Sequence, residues 1–199
     1  MRQLSSIISS YALLVLLMGV ISVEKENSLS CTTFGNNPFT NKPPGKNMPN
    51  EINRILKLFA DLQHGDCWIG LNFKEVLHGV DAVKASKVIG EEGNSIWMLV
   101  SHLIYWRTTV VNRLTGSDNP PPFKDFSLPS ELNEANWKQV LHDFEAAYHL
   151  LRNAIHRFNP ENLYKESPRQ GQTYYELVMG CLQHDAYHMG QMMVLKKAL

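Results

Sequence analysis

Apolar residues recur at three-four spacing in four stretches, separated by polar segments rich in glycine and proline, and this predicts four amphipathic helices. Ile52, Ile55, Leu56, Phe59 and Leu62 mark a short first helix, stopped by Gly65. Residues 65–94 read as an irregular connection with short helical pieces. There Asn72 and Glu75 form a capping pair ahead of Phe73, Val76 and Leu77, and Asp81 caps a further turn. The second helix begins after Asn94, carries Ile96, Leu99, Val100, Leu103, Val110 and Leu114 on one stripe, and ends at Gly116.

The third helix keeps the rhythm longest, through Trp137, Val140, Leu141, Phe144, Tyr148, Leu151, Ile155 and Phe158, with Pro160 beyond it. A polar loop, 159–172, leads to the fourth. Thr173 and Glu176 are spaced as a capping box at its start, and it runs to about Lys197. The connection from Ser117 to Ser130, with Pro120, Pro121 and Pro122 inside it, is too long for a tight turn. It can run the length of the domain, so the second and third helices need not be antiparallel neighbours. No strand pattern and no internal repeat is visible. The expected fold is all-α, a four-helix bundle with long crossover loops over 51–199.

Ahead of the bundle, Ile7 to Val23 is a nearly continuous apolar run behind Arg2. Its length suits the apolar core of an export signal, with a permissive cleavage pattern after Ser22, and falls slightly short of a spanning helix. Residues 1–23 are therefore expected to be a signal peptide or membrane anchor, and the domain exported or anchored; if that segment is not genuine, the chain is cytoplasmic. Residues 24–50 hold Pro38, Pro43, Pro44 and Pro49 among Asn, Gly, Ser and Thr. That composition excludes helix and reads as a flexible linker.

Nineteen basic and nineteen acidic residues balance, which argues against a nucleic-acid partner. Three cysteines, Cys31, Cys67 and Cys181, are an odd number without a CxxC, so neither a disulfide framework nor a cysteine-rich zinc site is expected. The eight histidines are the compositional excess.

They matter most in the fourth helix, where the core-facing seam reads Leu177, Cys181, His184, His188, Gln191, Leu195. Buried polar groups on a seam cost about 1–3 kcal/mol each unless satisfied. His184 and His188, four apart, project from one helical face and can share one metal ion; bonding to buried carbonyls or water is the alternative. His142, His149 and His156 lie roughly 140° from the stripe of their helix and belong to a solvated face with Glu145 and Arg152. His64 and His78 stand at helix ends, where the negative end of the dipole accounts for them. His102, about 100° from the centre of its stripe, is the best third candidate on wheel geometry.

Cys181 reads as a small buried residue rather than a thiolate ligand. Asp185 points about 100° from the seam, which suits orienting an imidazole better than direct ligation. Gln191 is placed to bond solvent on a metal or to close a helix contact. Tyr187, Met189, Met192 and Met193 read as packing.

The segment His184-Asp-Ala-Tyr-His188-Met-Gly-Gln191 resembles the closing signature of the DinB/YfiT-like metalloenzyme superfamily. Ser95-Ile-Trp-Met-Leu-Val-Ser-His102-Leu-Ile-Tyr-Trp-Arg107 is similar to its second-helix motif, and Trp68 with Gly70 and Leu114-Thr-Gly116 also fall at similar elements. The resemblance spans roughly residues 50–199. It implies a four-helix bundle with a metal held by one histidine of the second helix and two of the fourth, here His102, His184 and His188. One departure stands out: relatives often carry Trp-His-Gly after the first helix, and this chain has Trp68-Ile69-Gly70. The N-terminal segment is also atypical of relatives, most of which are cytoplasmic, and so weighs against a cytosolic thiol cosubstrate.

Three neutral imidazoles leave a divalent ion with open positions, the pattern of a catalytic site. Zinc or nickel suits such ligands best, and iron or manganese also fits. Such an ion lowers the pKa of water toward ~7 or activates a thiol. The expectation is a metal-dependent transferase or hydrolase acting on a small molecule, with a low-molecular-weight thiol among the candidate cosubstrates, as in some members of the resembling family. The alternative is a non-catalytic, metal-stabilised helical binding module. No general base is identifiable; Gln191 and Asp185 are the weak catalytic candidates. A pocket is expected to be lined from the loops after the second and third helices. Membrane contact is expected only through the N-terminal segment, and a homodimer stays open.

Overall fold

The computed structural model describes residues 48–90 and 93–199. The expected export segment 1–23 and nearly all of the 24–50 linker lie outside the described residues. Six α-helices account for the described chain: α1 (Met48–Gln63), α2 (Phe73–Leu77), α3 (Ala82–Ser86), α4 (Ile96–Leu114), α5 (Glu134–Arg157) and α6 (Tyr174–Ala198), with a 3-10 turn at Pro160–Asn162. Among the described residues there is no strand beyond one isolated bridge, Glu166 to Thr173. The chain is all-α, and no described helix is long and apolar enough to cross a membrane.

α1 corrects one boundary. It begins at Met48 and so takes in Pro49, which the linker reading had excluded from helix. The first-turn amides of a helix have no intrahelical partner, so proline is tolerated there. The other starts follow their caps. Asn72 accepts from the Glu75 amide and Glu75 reaches back to the Asn72 amide; Asp81, Ser95 and Asn133 each accept from the amide three residues on. At α6 the Thr173 hydroxyl accepts from the Glu176 amide, and the Glu176 carboxylate takes the Thr173 N–H at 2.8 Å. That backbone bond, with the hydroxyl's own, holds the Glu176 carboxyl below its ordinary range. α4 stops at Gly116, whose φ of 89° only glycine adopts readily. Its amide bonds the Arg113 carbonyl and the Ser117 amide bonds that of Asn112, closing the helix end.

The four long helices pack α4 against α5 and α6, and α1 against α5 and α6. Trp97 meets Trp137 at 5.1 Å between ring centroids, and Arg107 further along α4 meets Phe144 further along α5. α4 and α5 are therefore neighbours that run parallel, as the long connection between them permits. α6 runs antiparallel to α4, with Val110 level with Leu177 and Leu99 level with Gln191. α1 ends beside Glu145 and starts by the 3-10 turn after α5, so it is antiparallel to α5.

Two buried clusters stack along the bundle. One gathers Phe73, Trp97, Leu103, Trp137, Phe144 and Met192; the other gathers Ile55, Phe59, Leu151, Ile155, Leu177 and Val178. Each fully buried side chain of this size contributes about 1.5–3 kcal/mol. Between the clusters sits Arg107, 1% exposed. Its Nε donates to Asp185 of α6 at 2.9 Å, Nη2 donates to Gln63 of α1 at 2.9 Å, and Nη1 points at the Phe144 carbonyl of α5. One side chain thus ties all four long helices.

Candidate metal centre

His102 lies on α4, two turns from the Ser95 cap, and His184 and His188 lie one turn apart on α6. Because α4 and α6 are antiparallel neighbours, the three rings meet. Nε2 of His184 stands 3.1 Å from Nε2 of His102 and 3.1 Å from Nε2 of His188. One nitrogen from each ring lies within 4.8 Å of the other two. His102 and His188 are buried, and His184 is half-buried.

The outer nitrogens set the tautomers. Nδ1 of His102 donates to Asp125 Oδ1 at 2.7 Å, and a carboxylate can only accept. Nδ1 of His188 donates to Gln191 Oε1 at 2.6 Å, while Gln191 Nε2 donates to the Tyr187 hydroxyl. In the neutral form that metal ligation requires, both inward Nε2 atoms therefore present lone pairs. Burial, with His188 and His102 alongside, pushes His184 down to about 4, so it is neutral near pH 7. Burial also lowers His188, against the opposing Gln191 bond.

A neutral His184 has one proton and cannot satisfy this arrangement. On Nε2 the proton serves one neighbouring lone pair and leaves the other facing nitrogen. On Nδ1, a buried atom without a partner among the described residues, the proton itself is unsatisfied and three lone pairs converge. A cation at the convergence point removes the conflict. Imidazole nitrogens about 2.0–2.1 Å from a tetrahedral ion stand about 3.3 Å apart, close to the separations seen. The residues present fit a divalent ion.

The orienting groups differ from those expected. Asp185 is 0% exposed and turned to Arg107, with its Oδ1 unpartnered among the described residues, and it touches no imidazole. Burial raises its carboxyl and the guanidinium opposes the rise. The deepest line of α6 passes through Val178, Asp185, Met189 and Met192, while Gln191 and Leu195 of the traced seam are only half-buried. The wheel placed Asp185 off the seam because it had no means of seeing a buried arginine opposite. Gln191 bonds His188 and Tyr187, both on its own helix.

Sequence reasoning missed Asp125 and Phe126. Both sit in the crossover between α4 and α5, where no periodicity marks them. The Phe126 ring stacks on His102 at 4.0 Å between centroids, with 17° between planes. Its φ of 52° lies in the left-handed region, which costs a non-glycine residue of order 1–3 kcal/mol. The Phe126 amide bonds Asp125 Oδ1 at 2.8 Å. This cramped turn delivers carboxylate and ring to the same imidazole. The only legible signal was the proline run upstream.

The remaining histidines fall where the wheel put them. His142, His149 and His156 are exposed. His64 and His149 both lie against Glu145, at 2.9 and 3.1 Å. His78 caps the end of α2. Cys181 is buried, and burial raises its thiol well above the ordinary range, which disfavours a thiolate. Cys67 and Cys181 are unpaired by disulfide among the described residues. Trp68 is 99% exposed and Ile69 half exposed, so neither reaches the histidines.

A cavity of about 270 Å³ opens beside the cluster, walled by His102, Trp106 and Val110 of α4 and Leu177, Cys181 and His184 of α6. The loop before α6 closes one end, whereas the crossover after α4 touches His102 rather than this cavity.

A bundle of four long helices with a long second crossover, and one plus two histidines converging from α4 and α6, define an all-α protein able to hold a metal ion. The family model described as DinB superfamily matches residues 70–192, and the chain belongs to that superfamily. No curated protein and no solved structure matches it.

Proposed function

We propose that His102, His184 and His188 hold one divalent metal ion, zinc or nickel in preference to iron or manganese, and that the protein is a metal-dependent enzyme acting on a small molecule. The carrying observation is the meeting of two tautomer-fixed lone pairs with a third imidazole that cannot satisfy both. Asp125 and Gln191 hold the outer nitrogens, as partners of metal-bound histidines commonly do. When bound, the ion supplies Lewis acidity that makes water or a thiol nucleophilic near neutral pH. Transferase chemistry with a thiol, or hydrolysis, follows from that property. His102 and His184 face the adjoining cavity, so a molecule held there lies against the ligand set. Trp106 and Val110 form an apolar wall of that cavity on α4. Residues 1–23 are proposed to export the domain, on the strength of their apolar run.

Elemental analysis of untagged protein tests the site. One divalent ion per chain is expected, and less than a tenth of that in His188→Ala. A thiol-plus-electrophile panel and a set of activated esters test the chemistry. Absence of a stoichiometric ion after zinc or nickel loading overturns the site. A full complement of metal with no turnover, and no anion bound at the ion, leaves the binding-module alternative.

A further inference from the structure

The cavity beside the histidines has polar features that the metal does not use. Trp106 Nε1 is a buried donor and Gln172 Oε1 a buried acceptor, and neither has a partner among the described residues. Both residues line this one cavity. Leaving such groups unsatisfied is costly, and a bound molecule that accepts at one and donates at the other removes the cost.

The far end is cationic. Arg113 and Arg169 line it, about 16 Å along α4 from His102. Arg113 already pairs with Asp118 at 2.6 Å, whereas Arg169 has no carboxylate partner among the described residues. The loop carrying Arg169 and Gln172 is fixed rather than loose. Ser167 N–H donates to the Gln172 carbonyl at 2.8 Å, and its hydroxyl donates to the Arg169 carbonyl. Glu166 on the same loop accepts the Gly171 N–H and does not pair with Arg169. Between the two ends the walls are apolar, and Gly180 contributes space: a Cβ there would meet nothing within 4 Å. Glycine within a helix costs about 1 kcal/mol against alanine, so its place on this wall keeps volume rather than stability.

We propose that the cavity binds an elongated small anion, a carboxylic acid with an apolar body, its charged end at Arg169 and its polar middle at Trp106 and Gln172. This rests on the metal reading only for what happens at the other end. The cavity's own contacts do not require the ion.

Calorimetric titration of N-benzoylglycine, whose central amide can accept from Trp106 and donate to Gln172, against its neutral amide, N-benzoylglycinamide, tests the assignment in metal-loaded and metal-free protein. The acid is expected to bind roughly tenfold tighter or more. Arg169→Gln, at an exposed position, should erase that preference and leave metal content unchanged. Gly180→Leu should abolish binding of both probes with metal content intact. Equal binding of acid and amide, or no binding of either, overturns the inference. So does an acid preference that survives Arg169→Gln or needs the metal, since the carboxylate then sits on the ion. Preference retained in a protein that takes up no ion leaves the inference standing and overturns the metal site instead.

Discussion

Asp125 accepts the Nδ1 proton of His102 at 2.7 Å, and so fixes which nitrogen of that ring faces His184. A carboxylate behind an imidazole raises its basicity as a ligand. Asp125→Asn should therefore weaken zinc binding by roughly 10–100-fold, measured by chelator competition, with helical content unchanged. Affinity equal to that of the unaltered protein would remove Asp125 from the site.

Acid should destabilise the metal-free protein in a defined window. His184 folds neutral with its pKa lowered from 6.5 to about 4. A depressed folded pKa means the unfolded chain takes up the proton first. The stabilising contribution is thus complete above about 6.5 and is lost progressively as pH falls toward 4. Thermal melts across that range should show a falling Tm, and His184→Asn should flatten the slope. An unchanged slope would place the loss elsewhere.

The Arg107–Asp185 pair should be worth more broken than replaced. Arg107→Met leaves a buried carboxylate alone and should cost about 3–5 kcal/mol in urea unfolding. The double replacement Arg107→Met with Asp185→Leu should recover most of that loss. Additive losses in the double variant would show that the two side chains do not act as a pair.

Thr173→Ala should lower stability by about 1 kcal/mol, the ordinary worth of a capping hydroxyl. Since Glu176 is held below its usual range by the Thr173 backbone and hydroxyl, that variant should also raise the Glu176 pKa, readable by NMR titration. A pKa that stays put would assign the shift to other groups.

Much of this molecule is written in its periodicity. The stripes of α1 and α4 lie buried where they were traced, that of α5 is buried at Trp137, Phe144, Tyr148, Leu151 and Ile155 and half-buried at Val140, Leu141 and Phe158, and the capping pairs at Asn72 and Thr173 form as spaced. The pair of histidines on α6 was legible because polar residues interrupted an apolar seam. His102 sat at the edge of its stripe, where wheel geometry made it the best third candidate and the family motif made it an expected ligand. Asp125 and Phe126 were illegible, since a loop residue's place depends on where the chain returns in space. Asp185 was misjudged for a related reason: a wheel shows one helix, and its partner is on another.

The return path itself has a consequence. Had α4 turned straight back into an antiparallel neighbour, a few residues would have sufficed, and nothing would pass over His102. Because the next helix starts at the opposite end, the backbone must climb past that imidazole, and it leaves a carboxylate and a ring there on the way. Engineering a shortcut between Gly116 and Asn133 would keep every histidine and every long helix, yet strip one ligand of its support.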